Sequence, residues 1–123
     1  MCYKCYFCYQ KRIIFMQDNS LLGMKTDLKK LLNYQDGSVV SRTLIDKGVG
    51  TVTLFAFDKS QGLSEHTAPF DAMVIILDGE ADVTVSGKSN ILKECEMIIM
   101  PANKPHALKA IEKFKMLLVM VKK

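Results

Sequence analysis

Beyond Gly37 the chain is a succession of short apolar segments broken by turn residues. Residues 39–45, 48–58, 72–77, 81–86, 97–100 and 113–121 each carry a strand pattern. They belong to a series of roughly eight strands, and many short strands at even spacing predict an all-β sandwich or barrel. The 81–86 segment alternates strictly, with Ala81, Val83 and Val85 on one face and Asp82, Thr84 and Ser86 on the other, so one side is buried and the other is wet. Asp78-Gly79 and Gly87-Lys88 mark tight hairpin turns, because glycine accepts the positive φ that such turns require. Segments 72–77 and 116–121 are apolar at every position, so both of their faces need cover. Ahead of the strands, Met24, Leu28, Leu31 and Leu32 fall on one stripe of a short amphipathic helix that Asp36-Gly37 ends. This helix is expected to shield one apolar strand. A second subunit packed sheet against sheet is expected to shield the other, which predicts a homodimer.

A chain of 123 residues, nearly half of them hydrophobic, has material for one domain whose core needs no disulfide or metal staple. The expected division is an N-terminal extension over residues 1–23, poorly ordered at its start, and a barrel over residues 24–123. Residues 1–15 are expected to lie outside the barrel, and Met16 and Met24 are both alternative starts. Basic residues exceed acidic ones by four, but they are scattered, so no nucleic-acid partner is predicted. Lys4, Lys11 and Arg12 interrupt the apolar stretch a secretory signal would need, and the longest apolar runs are far too short for a membrane helix. A cytoplasmic protein with no membrane association is expected. Cys2, Cys5 and Cys8 crowd the first eight residues without the fourth ligand of a closed metal site, and Cys95 stands alone as an expected small, packed hydrophobe.

Two segments carry chemistry. The first runs Leu63-Ser64-Glu65-His66-Thr67-Ala68-Pro69 toward Gly79, and the second runs Pro101-Ala102-Asn103-Lys104-Pro105-His106. Their spacing resembles that of the small single-domain cupins of the RmlC-like kind. In that family the first motif holds a glycine, a His-x-His pair, a glutamate and a closing glycine, and the second holds a glycine, a proline, a second glycine, a histidine and an asparagine. Counting back from Gly79 puts Ala72 at the glutamate, Ala68 at the second histidine, His66 at the first and Ser60 at the glycine. In the second motif Pro101 and His106 match, while Cys95, Asn103 and Ala110 take the two glycine places and the asparagine. Asn103 suits a turn, because asparagine tolerates the left-handed conformation.

The resemblance implies a double-stranded β-helix, or jelly-roll barrel, with a short N-terminal helix and an interior pocket flanked by His66 and His106 as opposite walls. Ala68, Ala72 and Met97 are expected to line that pocket with them. Three histidines and a glutamate would normally converge on a divalent ion there. This chain keeps two of the four, so the resemblance implies a weak divalent site (Zn, Fe, Mn or Ni) on His66 and His106. Glu65 and Asp71 should face away from the pocket if the strands alternate. The reading is a homodimeric cupin that binds a small molecule. Its rivals are a metal-dependent lyase, isomerase or dioxygenase with a reduced ligand set, and a structural or regulatory partner protein. No glycine-rich phosphate loop and no nucleophile with an adjacent base motif points elsewhere.

Overall fold

The computed structural model describes residues 13–17, as backbone, and residues 21–122. Cys2, Cys5 and Cys8 lie outside the described residues. Ten strands follow in order: β1 (Ile13–Gln17), β2 (Val39–Lys47), β3 (Gly50–Phe57), β4 (Gly62–His66), β5 (Asp71–Asp78), β6 (Glu80–Val85), β7 (Lys88–Lys93), β8 (Met97–Met100), β9 (His106–Ala110) and β10 (Phe114–Val121). They form a six-stranded sheet ordered β1-β2-β3-β10-β5-β8 and a four-stranded sheet ordered β4-β9-β6-β7. This is the expected all-β jelly-roll barrel. β1 pairs in parallel with β2, Ile13 opposite Val39 through Gln17 opposite Thr43. Residues 13–15, expected outside the barrel, therefore extend its larger sheet.

The inner faces interdigitate as alternation demands. On β10, Phe114, Met116, Leu118 and Met120 point inward and are buried, and so do Ala72, Val74 and Ile76 on β5. The core is graded from end to end. Phe57 and Phe114 stack at one end with centroids 4.4 Å apart and planes 7° from parallel. At the other end the inward positions are Met120, Ala72 and Met100, which fill less space.

Two expectations need correction. Asp78-Gly79 makes no hairpin, because β5 and β6 lie in different sheets. It is the corner where the chain changes sheet: Gly79 has φ 82°, and a Cβ there would sit 1.9 Å from the Lys113 carbonyl oxygen. The Ser86-Gly87 turn, with φ 50° and 81°, is the true hairpin and joins β6 to β7. The helix predicted from Met24 also fails to form; a single 3-10 turn at Leu28–Lys30 stands in its place, with the Asp27 carboxylate accepting a hydrogen bond from the Lys29 N–H at 3.2 Å. A stretch of about three turns is marginal as a helix, and here side-chain burial decides its path. Its function as cover survives. Leu32 is buried in an outer cluster with Val40, Leu54 and Ala56, against which Leu28, Leu31, Tyr34 and Leu117 pack. The Tyr34 hydroxyl donates to Asp78 Oδ2 at 2.6 Å, and burial together with that carboxylate pushes the phenol above its ordinary pKa.

Beyond that cluster the outer face of the larger sheet carries further apolar side chains. Val52, Val119, Met73 and Ile99 form one continuous row across β3, β10, β5 and β8, with Ile75 and Met97 paired in the next row. Ile99 is 55% exposed and Val121 60%. No helix among the described residues is long and apolar enough to cross a membrane.

Candidate functional site

His66 closes β4 and His106 opens β9, and the two are cross-strand partners on the smaller sheet. Their rings meet edge to face with centroids 4.4 Å apart. They are neighbours on one wall rather than the opposite walls expected. Alternation from buried Leu63 would turn His66 outward, but the pairing of β4 with β9 shifts register between Leu63 and His66. That bulge re-aims the histidine inward and leaves Ser64 and Glu65 exposed. His106 lies between Pro105 and buried Leu108 and is itself only 4% exposed.

Each imidazole is fixed by its own backbone. Nδ1 of His66 donates to the Ser64 carbonyl at 2.6 Å, and Nδ1 of His106 donates to the Lys104 carbonyl at 3.1 Å. A carbonyl oxygen can only accept, so Nδ1 of each ring carries a proton, and in the tautomer with that proton alone the lone pair is on Nε2. Burial, and secondly the neighbouring His66, hold the His106 pKa below its ordinary 6.5, so this ring is neutral at physiological pH.

The pair borders an apolar cavity lined by Leu63, Ala68, Ala72, Leu108 and the inward residues Met100, Met116, Leu118 and Met120. Its volume is about 20 Å³ for the centre of a water-sized sphere, room for little more than one water molecule. His66, Ala68, Ala72 and His106 all border this cavity. Met97 does not: it is 44% exposed on the outer face, and Met100, three residues on and opposite Ala72, lines the cavity instead. Four consecutive apolar residues in β8 hide their phase, and only the pairing with Ala72 reveals it. The thioethers of Met116 and Met120 look like core filling in sequence for the same reason.

The glycine places of the motifs have kept their backbone and lost their glycines. Ser60, Cys95 and Asn103 all have positive φ, at 71°, 69° and 64°. Asn103 behaves as its turn required, its N–H donating to the Ala68 carbonyl at 2.7 Å and so tying the two motifs together. Cys95 is exposed, not packed, because its place is a corner at which the N–H reaches Ile76 O at 2.8 Å. Asp71 faces out and accepts from the Ala102 N–H at 2.9 Å, consistent with alternation.

The donor set does not suit a divalent ion of the Zn, Fe, Mn or Ni kind. No group of three or more His, Cys, Asp or Glu able to hold a metal occurs among the described residues. Ala68 and Ala72 offer no lone pair, and two imidazoles leave half the coordination shell to water. Among the described residues no carboxylate borders the cavity.

A two-sheet jelly roll whose two motifs meet at a histidine pair defines the cupin architecture. The cupin-domain family model matches residues 53–122, more than half of the chain, which therefore belongs to the cupin family. A conserved protein of unknown function from Streptococcus pyogenes is similar at 40% identity and a TM-score of 0.79, covering 82% of this chain and 89% of its own. A cupin 2 conserved barrel domain protein from Leptotrichia buccalis is 43% identical with a TM-score of 0.77, over 79% of this chain and 47% of that longer one. A cupin superfamily protein from Desulfitobacterium hafniense is 27% identical, with a TM-score of 0.78 over 82% of this chain and 93% of the other. No curated protein matches the chain significantly.

Proposed function

We propose that this protein is a binding cupin, which holds a small ligand in the apolar cavity through the Nε2 atoms of His66 and His106. The observation that carries the reading is the paired Nδ1–carbonyl bonds, which orient two adjacent imidazoles so that both lone pairs belong to Nε2. An apolar wall with few polar groups is the usual make-up of a site that selects by shape and fixes orientation with a handful of hydrogen bonds. Methionine-rich lining adapts readily, so a cavity that is narrow at rest can widen around a ligand. The two imidazoles are the only acid–base groups among the described lining residues, with no carboxylate beside them to complete the ligand set of a metal-dependent lyase, isomerase or dioxygenase.

The working unit is proposed to be a homodimer. The row Val52, Val119, Met73 and Ile99 gives an apolar sheet surface, and sheet packing would remove it from water at about 25 cal/mol per Å². The test of the site is a ligand screen by thermal shift, with wild type, His66→Ala and His106→Ala in parallel. A small molecule or ion that raises the melting temperature of wild type and of neither variant supports the reading. Ligands that stabilise all three equally would place binding elsewhere.

A further inference from the structure

Resting on that reading, we propose that the cavity selects a soft monovalent cation, copper(I), with His66 and His106 as nitrogen donors and the thioethers of Met100 and Met120 completing the set. The juxtaposition that carries this is a single rung of the larger sheet. Ala72 is paired on one side with Met100 of β8 and on the other with Met120 of β10, and all three point into the cavity that the histidines border. Ala72 occupies the place where the resemblance puts a carboxylate. Its methyl group leaves that space open, and the side chains on either side of it each carry a thioether sulfur.

Three physical arguments converge on the ion. Thioethers are soft donors that favour copper(I), whereas zinc, iron, manganese and nickel sites draw on thiolate, imidazole or carboxylate. Charge points the same way. With no carboxylate among the described residues of the wall, an entering cation keeps its full charge in an apolar surrounding, and the desolvation penalty grows as the square of that charge, so a divalent ion meets about four times the penalty of a monovalent one. Size agrees as well, since the cavity has room for a ligand of about the size of one water molecule. The Nδ1–H bonds to Ser64 and Lys104 supply the outer support that holds metal-ligating imidazoles in one tautomer.

The test uses the full-length chain carrying Cys2→Ser, Cys5→Ser, Cys8→Ser and Cys95→Ser, so that no thiolate competes. Copper(I) binding is measured anaerobically by competition with a chromogenic copper(I) chelator, and zinc(II) binding by competition with a zinc indicator. The expected result is one equivalent of copper(I) held in preference to zinc, with X-ray absorption showing both nitrogen and sulfur neighbours. His106→Ala should abolish retention, and Met100→Leu with Met120→Leu should weaken it about 10- to 100-fold. Leucine conserves volume, so an unchanged melting temperature in the double variant separates lost donors from lost packing. Unaltered copper affinity in the double leucine variant overturns the proposal, as does a preference for zinc. Zinc binding that depends on His66 and His106 would leave the ligand cavity standing and refute only the choice of ion. If neither ion binds, the proposal fails; the cavity reading fails with it only if an imidazole also carries its proton on Nε2.

Discussion

Changing Ala72 to glutamate restores the carboxylate that the family motif places there and shows what the cavity tolerates. Ala72 is 2% exposed, between Met100 and Met120, in a space that admits about one water. The added atoms overpack it, at roughly 1–3 kcal/mol. In apolar surroundings the carboxyl stays protonated, and neutralising a glutamate of ordinary pKa about 4.3 at pH 7 costs about 4 kcal/mol at 1.36 kcal/mol per pH unit. The sum, about 5–7 kcal/mol, rivals the whole stability of a small domain, so A72E alone should melt far below wild type or not fold. Zinc should reverse part of the loss, since the variant then offers two imidazoles and a carboxylate. An ion at a hundred times its dissociation constant adds about 2.7 kcal/mol, or roughly 10 °C for a domain of this size. The assay is thermal melting by circular dichroism of both proteins with zinc and with a chelator. An A72E variant as stable as wild type in chelator would show that Ala72 faces no closed cavity. Equal zinc stabilisation of both proteins would show that the two imidazoles suffice.

Three further outcomes follow from particular residues. His106 is held below its ordinary pKa of 6.5, so the unfolded chain takes up the proton more readily than the folded one; its contribution to stability is complete above about pH 6.5 and is lost as pH falls toward the depressed folded value. Melting temperature should therefore drop more steeply between neutrality and about pH 5 in wild type than in His106→Gln, and parallel curves would contradict this. Cys95→Gly should raise stability by about 1 kcal/mol, because the exposed side chain contributes no burial while its φ of 69° is strained for any residue with a Cβ; a lower melting temperature would show that the thiol makes a contact that matters. Light scattering should give a dimer for wild type and a monomer for Val119→Asp, since Val119 lies on the outer apolar row; a monomeric wild type at high micromolar concentration would remove the homodimer from the account.

Much of the barrel was legible because strand periodicity and turn residues act locally. Residues 81–86 alternated, and β6 buries Ala81 and Val83 as that alternation required. What the periodicity could not reveal was pairing. Asp78-Gly79 has the chemistry of a hairpin, yet β5 pairs with β8 and β10 while β6 pairs with β7 and β9 in the other sheet, which turns that dipeptide into a corner between sheets. The site shows the same division. Motif spacing brought His66 and His106 together, but the bulge that turns His66 inward is a property of its pairing with β9, so no count along the chain would have found it. Met97 and Met100 differ by an odd number of positions in an unbroken apolar run, and only the register against Ala72 tells inner from outer. The 24–34 segment had the right stripe and the wrong conformation, since burying Leu32 against Val40 and Leu54 outweighs its weak helical preference.

The central claim is that two adjacent imidazoles present their Nε2 lone pairs to the cavity, and the tautomeric state of the rings tests it without any ligand in hand. Long-range ¹H–¹⁵N correlation spectra of uniformly labelled protein at neutral pH distinguish protonated from unprotonated ring nitrogens for each histidine, and these are the chain's two. The account predicts that His66 and His106 both carry a proton on Nδ1, each bonded to the carbonyl two residues before it, with Nε2 unprotonated. A proton on Nε2 of either ring would contradict it.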